Sequence, residues 1–162
     1  MRNILKILFL TLAPLFFFGC SDDDKKQEEV QQICYPTNIS MIVNGEFIEM
    51  AVMGRGLMLT PNGYILDMNF EYYLAEPNSV IHIRIELPYN KTGKDILNIF
   101  KFSTSTESGS SSVDLSNGEF TSEVISNNKN CFYCKFSGTL TKNGKTFEIS
   151  EGVISYTYEE PF

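Results

Sequence analysis

The chain has 162 residues, with 13 Lys or Arg against 20 Asp or Glu and a formal charge of -7 at pH 7. So acidic a balance excludes a nucleic-acid partner, whose phosphates demand a basic face. Hydrophobic residues at 43% are too many for a disordered chain, and the lone histidine, His82, disfavours histidine metal clusters and paired catalytic imidazoles. Residues 1–19 read as a secretory signal that is removed. Arg2 and Lys6 make a positive start, Ile7 to Phe18 is an apolar run, and the small Gly19 closes it. The run falls well short of the roughly 20 apolar residues of a spanning helix, and Pro14 weakens helix further. Losing Arg2 and Lys6 with the leader takes the formal charge from -7 to -9.

The leader ends in Phe17-Phe18-Gly19-Cys20, which resembles a bacterial lipobox, with Phe17 standing where that family usually has Leu. The resemblance implies cleavage before Cys20 and lipidation of that cysteine as the first residue of the mature chain. Ser21, Asp22, Asp23 and Asp24 follow, and this acidic run is similar to the surface-export signal of lipoproteins in the Bacteroidota. It implies a protein anchored in the outer membrane and facing the cell exterior, with a periplasmic orientation as second choice. Residues 20–33 then form an acidic tether. A negative body beside anionic lipid is held by acyl chains and not by charge.

Residues 34–162 read as a single all-β domain. Period-2 alternation sets Leu66, Met68, Phe70, Tyr72 and Leu74 on one face and Asp67, Asn69 and Glu71 on the other. It does the same for Ile81, Ile83, Ile85 and Leu87 against His82, Arg84 and Glu86. Further strands are expected at 39–43, 46–52, 57–60, 96–102, 112–115, 119–125, 132–141 and 145–158, the last broken by a bulge near Glu151-Gly152. Asn44-Gly45, Asn62-Gly63, Asn117-Gly118 and Asn143-Gly144 supply pairs suited to type I′ hairpin turns. Val30 to Ile33 has room for one short helical turn. The polar stretch Ser103–Ser112 reads as a mobile loop. Nine or ten strands at hairpin spacing point to an antiparallel sandwich or a barrel. Within it, Phe136 to Tyr156 is similar to the closing hairpin of uncharacterised Bacteroidota lipoprotein domains, from which no catalytic residue can be carried over.

With Cys20 assigned to lipid, Cys34, Cys131 and Cys134 remain for an oxidising compartment. Residues three apart on a strand face opposite sides, so Cys131 and Cys134 should not bridge each other. Cys134 shares a face with Phe132, Phe136 and Leu140. A Cys34–Cys131 staple is the first expectation and Cys34–Cys134 the second. Neither a redox helix nor a zinc ligand set accompanies Cys131-Phe132-Tyr133-Cys134, and no metal or cofactor is expected. The rows His82, Arg84, Glu86 and Asp67, Asn69, Glu71 read as wet strand faces. No glycine-rich phosphate loop, nucleophile elbow or zinc-protease motif appears, so no catalytic residue is assigned. Aromatics are the better lead, and Tyr73, Tyr89 and Tyr133 are the candidate contacts for a glycan or protein ligand. The expectation is a lipid-anchored binding module. The alternatives are a barrel carrying a small apolar ligand or a structural subunit of an envelope complex, with an enzyme last.

Overall fold

The computed structural model describes residues 34–75 and 79–162; Cys20, the Ser21–Asp24 run and Val30 to Ile33 lie outside the described residues. Among the described residues the chain forms eleven strands: β1 (Asn38–Val43), β2 (Glu46–Glu49), β3 (Ala51–Thr60), β4 (Gly63–Tyr73), β5 (Val80–Pro88), β6 (Gly93–Lys94), β7 (Ile99–Thr106), β8 (Gly109–Asp114), β9 (Gly118–Asn127), β10 (Cys131–Lys142) and β11 (Lys145–Thr157). They make two antiparallel sheets, one in the order β2-β1-β11-β10-β9-β6 and the other β3-β4-β5-β7-β8. Neither sheet closes on itself. The architecture is a β-sandwich and not a barrel.

Alternation explains what fills it. Leu66, Met68 and Phe70 of β4, Ile83, Ile85 and Leu87 of β5, and Phe100 and Phe102 of β7 are completely buried on the inner face of the five-stranded sheet. Ile39, Met41 and Val43 of β1, Phe132, Cys134, Phe136 and Leu140 of β10, and Ile149 and Ile154 of β11 answer them from the six-stranded sheet. Rings bridge the two layers: Phe102 meets Phe147 at 4.9 Å between centroids and Phe100 meets Phe136 at 5.2 Å. The interior is filled with side chains, each fully buried Leu, Ile or Phe contributing about 1.5–3 kcal/mol of transfer free energy.

Two devices keep apolar residues inside. In β11, Phe147 and Ile149 occupy odd positions but Ile154 an even one, and a strict period of two would turn one set outward. Glu151, in the left-handed region at φ 51°, absorbs the extra residue in a bulge before Gly152. The alternation is thereby reset. On the other side of β1, β2 and β3 are separated by Met50 alone, whose amide still donates to the Ile39 carbonyl at 2.8 Å before the chain crosses to the other sheet. The stretch 46–52, expected as one strand, is therefore two strands in two sheets.

Other expectations change as well. Asn44-Gly45 and Asn143-Gly144 have positive φ at both residues, as a type I′ turn requires. Asn62-Gly63 is different: Pro61 and Asn62 form the turn, and Gly63, at φ 111°, already pairs with Thr60. Asn117-Gly118 closes a 3-10 turn, Leu115–Asn117, in the crossover from β8 to β9. The stretch read as a mobile loop, Ser103–Ser112, is instead the tip of the β7–β8 hairpin, with Ser103 opposite Ser112 and Thr106 opposite Gly109. Serine and threonine suit a strand with a wet face, and the Thr106 hydroxyl donates to the Gly109 carbonyl at 3.1 Å across the turn. The short edge strand β6, which no pattern announced, adds the eleventh.

Candidate ligand-binding face

Cys34 is joined to Cys131 by a disulfide that ties the segment before β1 to the start of β10. Cys134 is a free, fully buried thiol, and burial pushes its pKa up to about 12. Such a thiol stays protonated and inert at neutral pH. Among the described residues no cluster of His, Cys, Asp or Glu is placed to hold a metal ion.

The three tyrosines singled out by sequence do not converge. Tyr73 ends β4 at 67% exposure and donates to Glu71 at 2.8 Å. Tyr89 follows β5 and packs edge-on against Phe162, and burial raises its phenol pKa. There it joins an aromatic cluster around Arg55, whose guanidinium lies 4.2 Å from the Tyr158 ring centre and 4.3 Å from that of Phe162 while donating to the Glu160 carbonyl. Tyr89 is thus half-buried within this cluster. Tyr133 sits on the six-stranded sheet beside Tyr35, ring centres 4.8 Å apart, with the Lys135 ammonium 5.8 Å from its ring.

The outer faces of the two sheets differ in how their charges are used. On the five-stranded sheet, Arg84 donates to Asp67 through Nε at 3.2 Å and Nη2 at 3.0 Å, and also to Glu86. The hydrogen bond to Asp67 raises the Arg84 pKa. Register also sets Glu71, His82 and Ser103 side by side on β4, β5 and β7. That is the order of a carboxylate, a base and a nucleophile. Among the described residues no hydrogen bond joins the three, and Glu71 is engaged by Tyr73 instead. The row is a strand face and not an assembled triad.

On the six-stranded sheet one transverse row crosses every strand: Glu49, Ser40, Val153, Lys135, Glu123 and Lys94 stand in direct register. Glu123 lies between two lysines, yet among the described residues the only ion pairs are those of Arg84. These charges remain solvated. Over this row runs a groove of about 730 Å³, bounded by Phe47 and Ile42 on the β1–β2 side, Lys94 and Glu123 on the β6–β9 side, and Lys135, Ser137 and Thr121 between. Phe47 is 68% exposed. Two residues beyond Lys135 on the same face of β10, the Tyr35–Tyr133 pair extends the platform.

Sequence reasoning missed the residues that line this groove and singled out only Tyr133 beside it. Phe47 belongs to a four-residue strand without clear alternation, and Lys94 to a strand of two residues. Their meeting depends on a strand order in which β6 and β2 bound the same sheet, which no local pattern encodes. Comparison with protein-family models, curated proteins and solved structures finds no match.

Proposed function

We propose that the chain is a lipid-anchored protein of the cell envelope that binds a glycan or protein ligand through the outer face of its six-stranded sheet, and that it is not an enzyme. The groove carries the reading. Its volume lies within the several hundred cubic ångströms typical of ligand sites. Its lining combines the exposed Phe47 ring with hydroxyls and charges of both signs outside any ion pair, the composition of a recognition surface. Rings that bridge the interior support a surface binder over a carrier with an enclosed ligand. The anchor is Cys20 and the export signal Ser21, Asp22, Asp23 and Asp24.

The test has two arms. A glycan-array and extracellular-protein screen identifies a ligand, and Phe47→Ala and Lys135→Ala each weaken its binding while leaving the melting temperature unchanged. Full affinity in both variants would place the ligand elsewhere. For the anchor, protease treatment of intact cells removes the protein, and replacing Asp22, Asp23 and Asp24 with Ala protects it. Continued cleavage of that variant refutes the export role.

A further inference from the structure

Edges of sheets expose unpaired amide and carbonyl groups, and proteins blunt them with short strands, charges or bulges. β2 is four residues long and carries two glutamates, and β6 has two residues. β3 is different. It runs for ten residues, pairs among the described residues with β4 alone, and contains no acidic side chain. Its one charge, Arg55, is turned inward between the Tyr158 and Phe162 rings. The irregularity in its pairing falls between Val52 and Gly54, leaving Gly54 to Thr60 regular. Within that stretch Met58 is 50% and Leu59 70% exposed, and Tyr64, opposite Leu59, is 52% exposed.

We infer that β3 pairs antiparallel with β3 of a second copy about a two-fold axis at Leu57, joining the five-stranded sheets of two molecules into one continuous sheet. Same-face residues then meet across the axis, as antiparallel pairing requires. Leu57 stands against Leu57, Met58 against Gly56 of the second copy, and Leu59 against the stem of Arg55. A Cβ placed on Gly56 or Gly54 meets no described residue within 4 Å, which leaves the space above these glycines to Met58 and Thr60 of the other copy. This self-complementarity of large against absent side chains selects a second copy over a foreign strand, which needs only a backbone. Charge selects the same place. Two chains of -7, or of -9 without residues 1–19, repel each other, and β3 offers an edge on which no like charges are opposed.

The full chain in a Cys20→Ser background tests this by sedimentation and by oxidation. A concentration-dependent dimer forms, and added salt strengthens it by screening the overall repulsion. Met58→Lys, at an exposed position that leaves the fold intact, weakens association about tenfold or more. Leu57→Cys yields a disulfide-linked dimer on mild oxidation because each copy faces itself. Thr60→Cys does not, because the axis sets its two copies far apart. A monomer at all concentrations overturns the inference, whether or not a foreign strand then adds to the edge. A dimer indifferent to Met58→Lys overturns it as well, and so does cross-linking at Thr60 in place of Leu57.

Discussion

The disulfide closes a loop that holds β1 to β9, and removing it has a calculable cost. Cys34 and Cys131 are separated by 97 residues. In the chain-entropy treatment a loop of that length restricts the unfolded state by about 4.7 kcal/mol at 25 °C. Cys34→Ser is the cleaner perturbation, because Cys34 is exposed whereas Cys131 is 1% exposed and has Ser126 Oγ and Asn128 Nδ2 at 3.6 Å. The native contacts of its segment survive the change: the Tyr35 carbonyl accepts from the Thr157 hydroxyl at 2.7 Å and the Pro36 carbonyl from the Ser155 hydroxyl at 2.8 Å. The effect therefore falls on the unfolded chain. Against a total stability of about 5–15 kcal/mol, the loss leaves the fold near its threshold, and the melting temperature drops by about 15 °C. Urea unfolding of the parent with and without reductant measures it, with Cys34→Ser matching the reduced parent and insensitive to reductant. A loss below about 1 kcal/mol refutes the loop-closure reasoning.

Two further predictions concern the interior. Gly152→Ala puts a Cβ 2.4 Å from Phe136 Cε2 and 2.6 Å from the Phe136 carbonyl oxygen, neither of which can retreat, and costs about 1–3 kcal/mol in chemical denaturation; Gly54→Ala enters open space and is neutral or gains up to about 1 kcal/mol. Equal effects of the two would show that the bulge is not packed as described. Cys134 has its folded pKa raised from 9.0 to about 12, so the native state holds the proton longer than the unfolded chain. Its contribution is fully present below pH 9 and is lost as pH rises from there toward 12, at about 1.4 kcal/mol per unit. Tyr158, whose pKa burial also raises, adds to the decline only above its ordinary value of 10.0. Stability measured between pH 9 and 10 should fall in the parent and stay flatter in Cys134→Ala, and parallel slopes would refute the assignment.

What the sequence made legible follows from the range of each physical cause. Alternation is local, so the inward sets of β4 and β5 and the buried position of Cys134 were readable from their neighbours. The bulge at Glu151-Gly152 was readable for the same reason, as a break in parity. The β7–β8 hairpin was not. Ser103–Ser112 has the composition of a loop, and it is held as strand by cross-strand pairing with residues outside the window, such as His82 opposite Ser103. Turn chemistry was ambiguous at Asn62-Gly63, where the proline one residue earlier takes over the turn. The candidate groove was least legible, because it joins β2, β1, β11, β10, β9 and β6, and strand order is a long-range property.

Both outer faces are polar, and the reason for placing a ligand on one of them lies in what their charges already do. On the five-stranded sheet Arg84 is held by Asp67 and Glu86, and Glu71 accepts from Tyr73. A ligand seeking those groups would first break bonds they make with each other, and the exchange returns little. On the six-stranded sheet Lys94, Glu123 and Lys135 stand in one row without forming ion pairs, so only water must leave them. Phe47 and the Tyr35–Tyr133 pair flank that row, and the exposed Phe47 and Tyr35 rings forfeit free energy to solvent until something covers them. Each sheet carries a groove on its outer side, about 730 Å³ over the six-stranded one and about 440 Å³ beside Lys101 and Ser103 on the other. The mutual engagement of Arg84, Asp67, Glu86, Glu71 and Tyr73 is what separates the two faces, and it supports the proposal for the six-stranded sheet.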